Sequence, residues 1–156
     1  MAKKEGFNLD EIERRLRAGK PKLMVDLEAV SERFFLASWR KQGWDDGSLQ
    51  RWQEVKRRIP GTRAYNSARK SSRTRSILVQ SGRLRRSFYT RIRRNDIIQI
   101  ANSAPYAQPH NEGTMNAGRG RRTRIPQRQF MGHSKTLEKQ QVAVIKRWLN
   151  KCLDNE

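Results

Sequence analysis

Few residues in this sequence could carry out chemistry, and His110 is the first to consider. It lies in the run His110-Asn111-Glu112, and the chain has one thiol, Cys152. Neighbouring residues in this run do not face one another, and Cys152 falls in the last expected helix. A nucleophilic set of Cys152, His110 and Glu112 therefore fits poorly to the geometry that such catalysis needs. We expect a structural role for His110, and we predict that the protein is not an enzyme.

Metal and nucleotide sites are not predicted either. Two histidines and one cysteine would need carboxylates to complete a metal site, and residues 55–137 offer just Asp96 and Glu112. The segment Gly118–Arg122 contains glycines, but it lacks the spacing of a phosphate loop and the Lys-Ser/Thr pair that follows one. The sequence thus predicts no metal and no cofactor.

Arginine is the residue type whose number and position are unusual. The 156 residues include 35 Lys and Arg against 15 Asp and Glu, a formal charge of +20. Residues 55–137 hold 20 of the basic residues and 2 of the acidic ones, and no acid occurs between Val55 and Asn95. Guanidinium groups suit phosphate and carboxylate alike, so this basic region predicts contact with DNA phosphate, contact with acidic neighbouring proteins, or a solvated charged face. The candidate contact residues are Arg63, Arg69, Arg73, Arg75, Arg91, Arg93, Arg94, Arg119, Arg121, Arg122 and Arg124.

Length and composition predict one soluble domain. The single cysteine excludes an internal disulfide, and no stretch approaches the ~20 apolar residues of a membrane span. The N-terminus has no apolar run typical of a secretory signal, so we expect the protein to stay inside the cell that makes it.

Helical patterns occupy both ends of the chain. Asn8 and Glu11 predict the start of a short helix that ends at Ala18, before Gly19, and Pro21 predicts the start of a long helix ending near Gly43. Phe34 and Phe35 are neighbours, so we expect either one of them at a subunit interface or a wide apolar stripe. Ser134 predicts the cap of a last helix. Its apolar face would carry Leu137, Gln141, Val144, Ile145, Trp148 and Cys152.

The middle of the chain predicts loops and short strands, which makes the fold class α+β with helices packed on a small antiparallel sheet. Residues 48–58 suggest a helical turn or two, and residues 60–72 and 111–124 suggest loops, the second long and flexible. Strands are predicted over 84–92, 97–101 and 125–131, the first two as a hairpin. We expect Leu84, Phe88 and Ile92 to point into the core, in one cluster with Phe130 and Trp148.

Four segments in this order resemble the phage virion morphogenesis family, whose members are tail completion or neck proteins of tailed phages, including Mu-like ones. They are residues 39–44 with Trp52, residues 77–87 (ILVQSGRLRRS), residues 106–113 (YAQPHNEG) and residues 125–132 (IPQRQFMG). The resemblance covers about residues 35–133, and Pro109 and Gln129 depart from the usual pattern. The matching structural positions are Ser81, Gly82, Leu84, Tyr106, Ala107, His110, Asn111, Gly113, Ile125, Pro126, Arg128 and Phe130.

The resemblance implies a structural virion protein of the head–tail junction. It implies residues 21–156 as the family domain, preceded by an extension over residues 1–20. It also implies a homo-oligomeric ring, most simply a hexamer, between the portal or adaptor and the tail-tube or tail-terminator proteins. Genomic DNA would pass through the ring, and assembly would take place in the host cytoplasm without a membrane. The alternative from the charge alone is a stand-alone basic module that binds nucleic acid without sequence specificity.

Overall fold

The computed structural model describes residues 8–120 and 122–153. Its helices are α1 (Leu9–Lys41), α2 (Arg63–Ser67), α3 (Lys70–Arg73), α4 (Arg83–Arg86), α5 (Ala107–Glu112) and α6 (Lys135–Leu153), with a 3-10 turn at Lys56–Arg58. Its strands are β1 (Gly43–Asp45), β2 (Leu49–Arg51), β3 (Phe88–Arg93), β4 (Ile97–Asn102), β5 (Thr114–Ala117) and β6 (Thr123–Ile125). The predicted α+β class is confirmed, and the strands form three antiparallel pairs, β1–β2, β3–β4 and β5–β6. No helix in the described ranges is long and apolar enough to cross a membrane.

Helix α1 is continuous, so the predicted break between Ala18 and Pro21 is wrong. Asn8 caps its start by accepting from the Glu11 N–H at 3.2 Å, as the sequence predicts. Pro21 lies inside the helix and removes one backbone hydrogen bond. Gly19 lies against α6, where a Cβ atom would come within 2.6 Å of Trp148 Nε1. Gly19 and Pro21 each disfavour a helix locally, and the packing of α1 on α6 offsets this free-energy cost. A prediction from local sequence pattern does not include that tertiary packing.

Helix α6 begins as predicted and is tied at its start to the β1–β2 turn. Ser134 Oγ accepts from the N–H groups of Thr136 and Leu137 at 3.1 and 3.2 Å, and it donates to the Asp45 carbonyl at 2.6 Å. Farther along, Gln141 donates to Ser31 Oγ of α1 at 2.9 Å. The predicted inward face of α6 is confirmed, since its residues are buried or half-buried while the positions between them are exposed.

The core consists of two clusters that meet at Phe88. The first is made of Trp39, Trp52, Ile77, Leu84, Ala104, Ala107 and Phe130, and the second of Phe34, Phe35, Trp44 and Leu137. Phe88 packs against both. Phe34 and Phe35 are both buried, so neither is at an exposed interface position. They can share a core because Trp44 packs against both rings, at centroid distances of 5.5 and 6.0 Å.

The strand predictions are right for the β3–β4 hairpin and wrong at its start. Residues 83–86 form a helical turn because Gly82 adopts a φ of 77°, and the strand begins only at Phe88. Leu84 is therefore buried from a helix. Ile92 is half-buried and belongs to neither cluster, and Trp148 packs against α1 rather than beside Phe130.

Three further segments differ from the predictions. Residues 60–72 contain α2 and α3, and Thr62 caps α2 by accepting from the Tyr65 N–H at 3.1 Å. Within residues 48–58, one helical turn is present as the 3-10 turn at Lys56–Arg58, and the first part forms β2 instead. The predicted flexible loop at 111–124 includes most of the β5–β6 hairpin, and the predicted strand at 125–131 ends at Ile125 because Pro126 lacks an N–H for further pairing. Elements of three to five residues have too little periodicity to be recognised in sequence.

Candidate anion-binding surface

The β3–β4 hairpin places arginines on its solvent side. Residues of β3 alternate between half-buried and exposed, and Arg91 and Arg93 are exposed together with Tyr89. The guanidinium carbon of Arg91 lies 5.6 Å from the centroid of the Tyr89 ring. Arg94 has a φ of 52° and lies in the turn that joins the strands. All three arginines are exposed, so their charges are accessible to a partner.

The β5–β6 hairpin carries a second group of exposed arginines. Its connection contains Gly118, with a φ of 79°, and the exposed Arg119. Arg122 and Arg124 are exposed at and beside β6, and Arg121 lies outside the described residues. The structure thus places Arg119, Arg122 and Arg124 on a short antiparallel hairpin rather than on the predicted long loop.

Around α2 and α3, some arginines hold the fold while others stay free for a partner. Arg73 donates to the Tyr65 carbonyl at 2.9 Å, and its guanidinium carbon lies 4.2 Å from the centroid of the Tyr65 ring. Arg75 donates to the Gln80 carbonyl. Arg63 and Arg69 are exposed. Arg73 and Arg75, two of the predicted contact residues, therefore also stabilise the fold, because they donate to backbone carbonyls in a segment with few buried residues.

A basic groove runs beside residues 78–82. Three neighbouring cavities of about 230, 570 and 500 Å³ all have Gln80 in their walls. None of the residues lining these three cavities is acidic. The arginines of the groove are Arg57, Arg69, Arg75, Arg83, Arg85, Arg86 and Arg128. The clustering of cations without carboxylates is the geometry of an anion-binding surface.

Arg128 is the buried arginine of this groove and Arg57 is half-buried beside it, and sequence analysis missed Arg57. Arg57 donates to the Ser72 and Ser76 carbonyls at 3.0 and 2.9 Å, and Arg128 donates to the Gln53 carbonyl at 3.0 Å. Burial lowers the pKa of both guanidinium groups, and repulsion from nearby arginines lowers it further. The sequence carries no signal for this role, because Arg57 stands in an ordinary basic run, Lys56-Arg57-Arg58.

His110 borders the same groove. Burial, and next the charge of Arg128, lower the pKa of its imidazole, which is therefore neutral at pH 7. Its ring packs edge-on against Tyr106 at 6.1 Å, and its Nδ1 atom is buried without a hydrogen-bond partner among the described residues. Cys152, the other residue of the catalytic set considered above, is a buried free thiol in α6. Within residues 8–120 and 122–153, no group of three or more His, Cys, Asp or Glu side chains could hold a metal ion.

The segments 106–113 and 125–132, two of the four that carry the family resemblance, lie side by side and contain most of the matching positions. Asn111 Oδ1 accepts from the N–H groups of Phe130 and Met131, both at 2.9 Å, and the His110 carbonyl accepts from the Arg128 N–H at 2.8 Å. Gly113 has a φ of 78°, and a Cβ atom there would lie 2.9 Å from the Gln127 nitrogen. The Asn111 side chain thus binds the backbone of the neighbouring segment. Side chains and backbone hydrogen-bond the two segments to each other, and the contacts are structural rather than catalytic.

The fold presents a basic groove and two hairpins with exposed arginines, a surface suited to an anionic partner. The profile of the phage virion morphogenesis family matches residues 39–150, well over half of the chain. The chain belongs to the phage virion morphogenesis family, as the resemblance in its motifs indicates. No curated protein and no solved structure matches the chain. Family membership indicates a structural role in the assembly of a bacteriophage virion.

Proposed function

We propose that this protein is a structural component of the head–tail junction, where copies of it form a neck or tail-completion ring. The ring, most simply a hexamer, connects the portal or adaptor of the head to the tail-tube or tail-terminator proteins, and the genomic DNA passes through it. The observation that carries the proposal is the family match over residues 39–150. In the finished particle the protein resides in the neck, after assembly in the host cytoplasm.

The distribution of charge supports a place beside DNA or an acidic neighbour. Residues 55–137 hold 20 basic and 2 acidic residues, and Arg91, Arg93, Arg119, Arg122 and Arg124 are exposed on two β-hairpins. A surface of this kind can bind the phosphates of DNA of any sequence, because contacts with the DNA backbone do not read the bases. Such contacts suit a channel through which a whole genome passes.

A conditional phage mutant that lacks the protein tests the proposal. We expect separate heads and tails to accumulate, since each part assembles by itself and the junction between them is missing. Addition of purified protein to the mixed lysate should then produce joined, infectious particles. Normal yields of joined particles without the protein would contradict the proposal.

The alternative is a stand-alone basic module that binds nucleic acid without sequence specificity. The acid-free stretch from Val55 to Asn95 favours it, since 14 of its 41 residues are Lys or Arg. The two functions differ in where the protein is found after infection. A junction protein co-purifies with DNA-filled virions at a fixed copy number, whereas a free module stays with intracellular nucleic acid and is absent from virions.

A further inference from the structure

The smallest cavity of the basic groove has both an apolar wall and a cationic rim. Its volume is about 230 Å³. Val55, Leu78, Val79 and Leu84 supply the apolar part, and all four belong to or pack against the first core cluster. Three guanidinium groups, of Arg57, Arg83 and Arg128, border the same space. This cavity differs from the exposed hairpins, which offer charge without an apolar recess.

The positive charge around the cavity has little compensation within the molecule. Arg57 and Arg128 donate to main-chain carbonyls. The carboxylate of Glu54 acts on both charges, and it also lies 3.5 Å from Arg58. Arg128 is buried and Arg57 is half-buried, and both are bonded to carbonyls rather than to a carboxylate, so an incoming carboxylate would gain more here than at an exposed arginine.

The shape of the cavity selects the kind of anion. Its volume is below the ~300–1,000 Å³ typical of small-molecule sites, so it suits a single side chain rather than a cofactor. The DNA backbone is a convex, strongly charged rod without aliphatic side chains, and it would leave the apolar wall unfilled. A peptide that places an aliphatic side chain next to a carboxylate satisfies both parts of the cavity at once.

We propose that this cavity docks an acidic–aliphatic peptide segment of a different virion protein. The partner is a different protein because the acidic–aliphatic segments of this chain lie in α1, where Glu11, Glu13 and Asp26 already pair with Arg14, Arg17 and Lys22 of the same helix. The aliphatic side chain packs against Leu78, Val79 and Leu84, and flanking carboxylates pair with Arg83 and the rim of Arg57 and Arg128. The inference rests on the proposed function, and it names the chemistry of one neighbour in the junction.

Nuclear magnetic resonance on the full chain, at about 0.15 M salt to screen exposed charges, tests the proposal. The probes are three blocked tripeptides, Glu-Leu-Glu, Glu-Gly-Glu and Gln-Leu-Gln, and a short DNA duplex. We expect Glu-Leu-Glu to shift the Nε–H signals of Arg57 and Arg128 and the amide signals of Leu78 and Leu84. Both control peptides should bind several-fold more weakly, because each lacks one half of the recognition. The duplex should shift Arg91 and Arg93 instead.

A matched pair of variants completes the test. Arg83→Gln removes a charge that borders the cavity, and Arg93→Gln removes one from the exposed face of β3. Arg83→Gln should weaken Glu-Leu-Glu binding by roughly two- to fivefold, in line with an exposed charge contact, and Arg93→Gln should leave it unchanged. Equal binding of Glu-Gly-Glu, an equal effect of the two variants, or movement of the cavity signals by the duplex alone would overturn the proposal. These results are independent of the phage experiment, so either proposal can fail without the other.

Discussion

Gly19 is a residue whose type suggests the end of a helix and whose actual task is to let two helices approach. It lies in the interior of α1, where Trp148 of α6 occupies the space that a Cβ atom would need. Glycine costs roughly 1 kcal/mol relative to alanine inside a helix, so its presence here has to be offset by packing. The sequence shows the glycine, but the partner that explains it is 129 positions away.

The first prediction is that Gly19→Ala destabilises the protein although alanine favours helices. Overpacking against Trp148 costs about 1–3 kcal/mol, which equals or exceeds the ~1 kcal/mol gained in helix propensity. In a Trp148→Ala background the same change should become stabilising, because the clash is gone. Urea unfolding of the four proteins measures the coupling. Equal effects of Gly19→Ala in both backgrounds would disprove the close approach.

The second prediction concerns pH and His110. Its folded-state pKa lies below the ordinary value of 6.5, mainly through burial and next through Arg128. The unfolded chain therefore binds the proton more readily, and the stabilising contribution is present above pH ~6.5 and is lost as the pH falls below it. His110→Gln should reduce the loss of stability between pH 7.5 and 5.5. A pH dependence unchanged by His110→Gln would contradict the assignment.

Among the elements, those with a long amphipathic or alternating pattern could be predicted from sequence. Helix α6 and its Ser134 cap, and the alternation of β3, follow from local pattern because one face of each element packs on the core. The short helices α2 and α3 could not be predicted, since they are held by arginine contacts with backbone carbonyls. The same limit applies to the site: the exposed arginines of the hairpins are evident in the sequence, whereas the carbonyl contacts of Arg57 and the burial of Arg128 depend on distant segments.

The third prediction compares two adjacent residues of β3. Phe88 packs against both core clusters, with its ring 5.6 Å from that of Trp39 and 6.1 Å from that of Phe130, while Tyr89 is 39% exposed. Phe88→Ala should lower the free energy of unfolding by about 3–5 kcal/mol, and Tyr89→Ala by less than about 1 kcal/mol. Thermal melting of the two variants is the measurement. Similar melting temperatures would mean that β3 faces the core the other way.

In the whole molecule, charge and fold are separated along the chain. Residues 1–54 have a net charge of +1 and residues 138–156 also +1, and these parts supply α1 and α6. The remaining +18 is in residues 55–137, which supply the groove and the two arginine hairpins. Such a molecule is repelled by its own copies until a polyanion or an acidic partner neutralises it. We therefore expect assembly of the protein to depend on its partners and on salt.

The fourth prediction is a steep salt dependence of DNA association with little dependence on sequence. The logarithm of affinity should fall against the logarithm of salt concentration with a slope of about −0.9 per phosphate contacted. Replacement of Arg91, Arg93 and Arg94 by Gln should flatten that slope and leave the melting temperature unchanged, because none of the three is buried. Fluorescence anisotropy with two duplexes of unrelated sequence provides the measurement. A slope near zero, or an unchanged slope in the triple variant, would exclude these arginines as phosphate contacts.

The location of the protein in the virion tests the central claim most directly. Electron cryomicroscopy of DNA-filled particles can resolve the neck and show whether the long α1 and its antiparallel partner α6 fit its density. We predict a ring of identical subunits between the portal and the tail, with the face that carries Arg91, Arg93, Arg119, Arg122 and Arg124 directed toward the DNA channel or an acidic neighbouring protein. A neck without this fold, or a ring whose arginine hairpins all point into bulk solvent, would contradict the account.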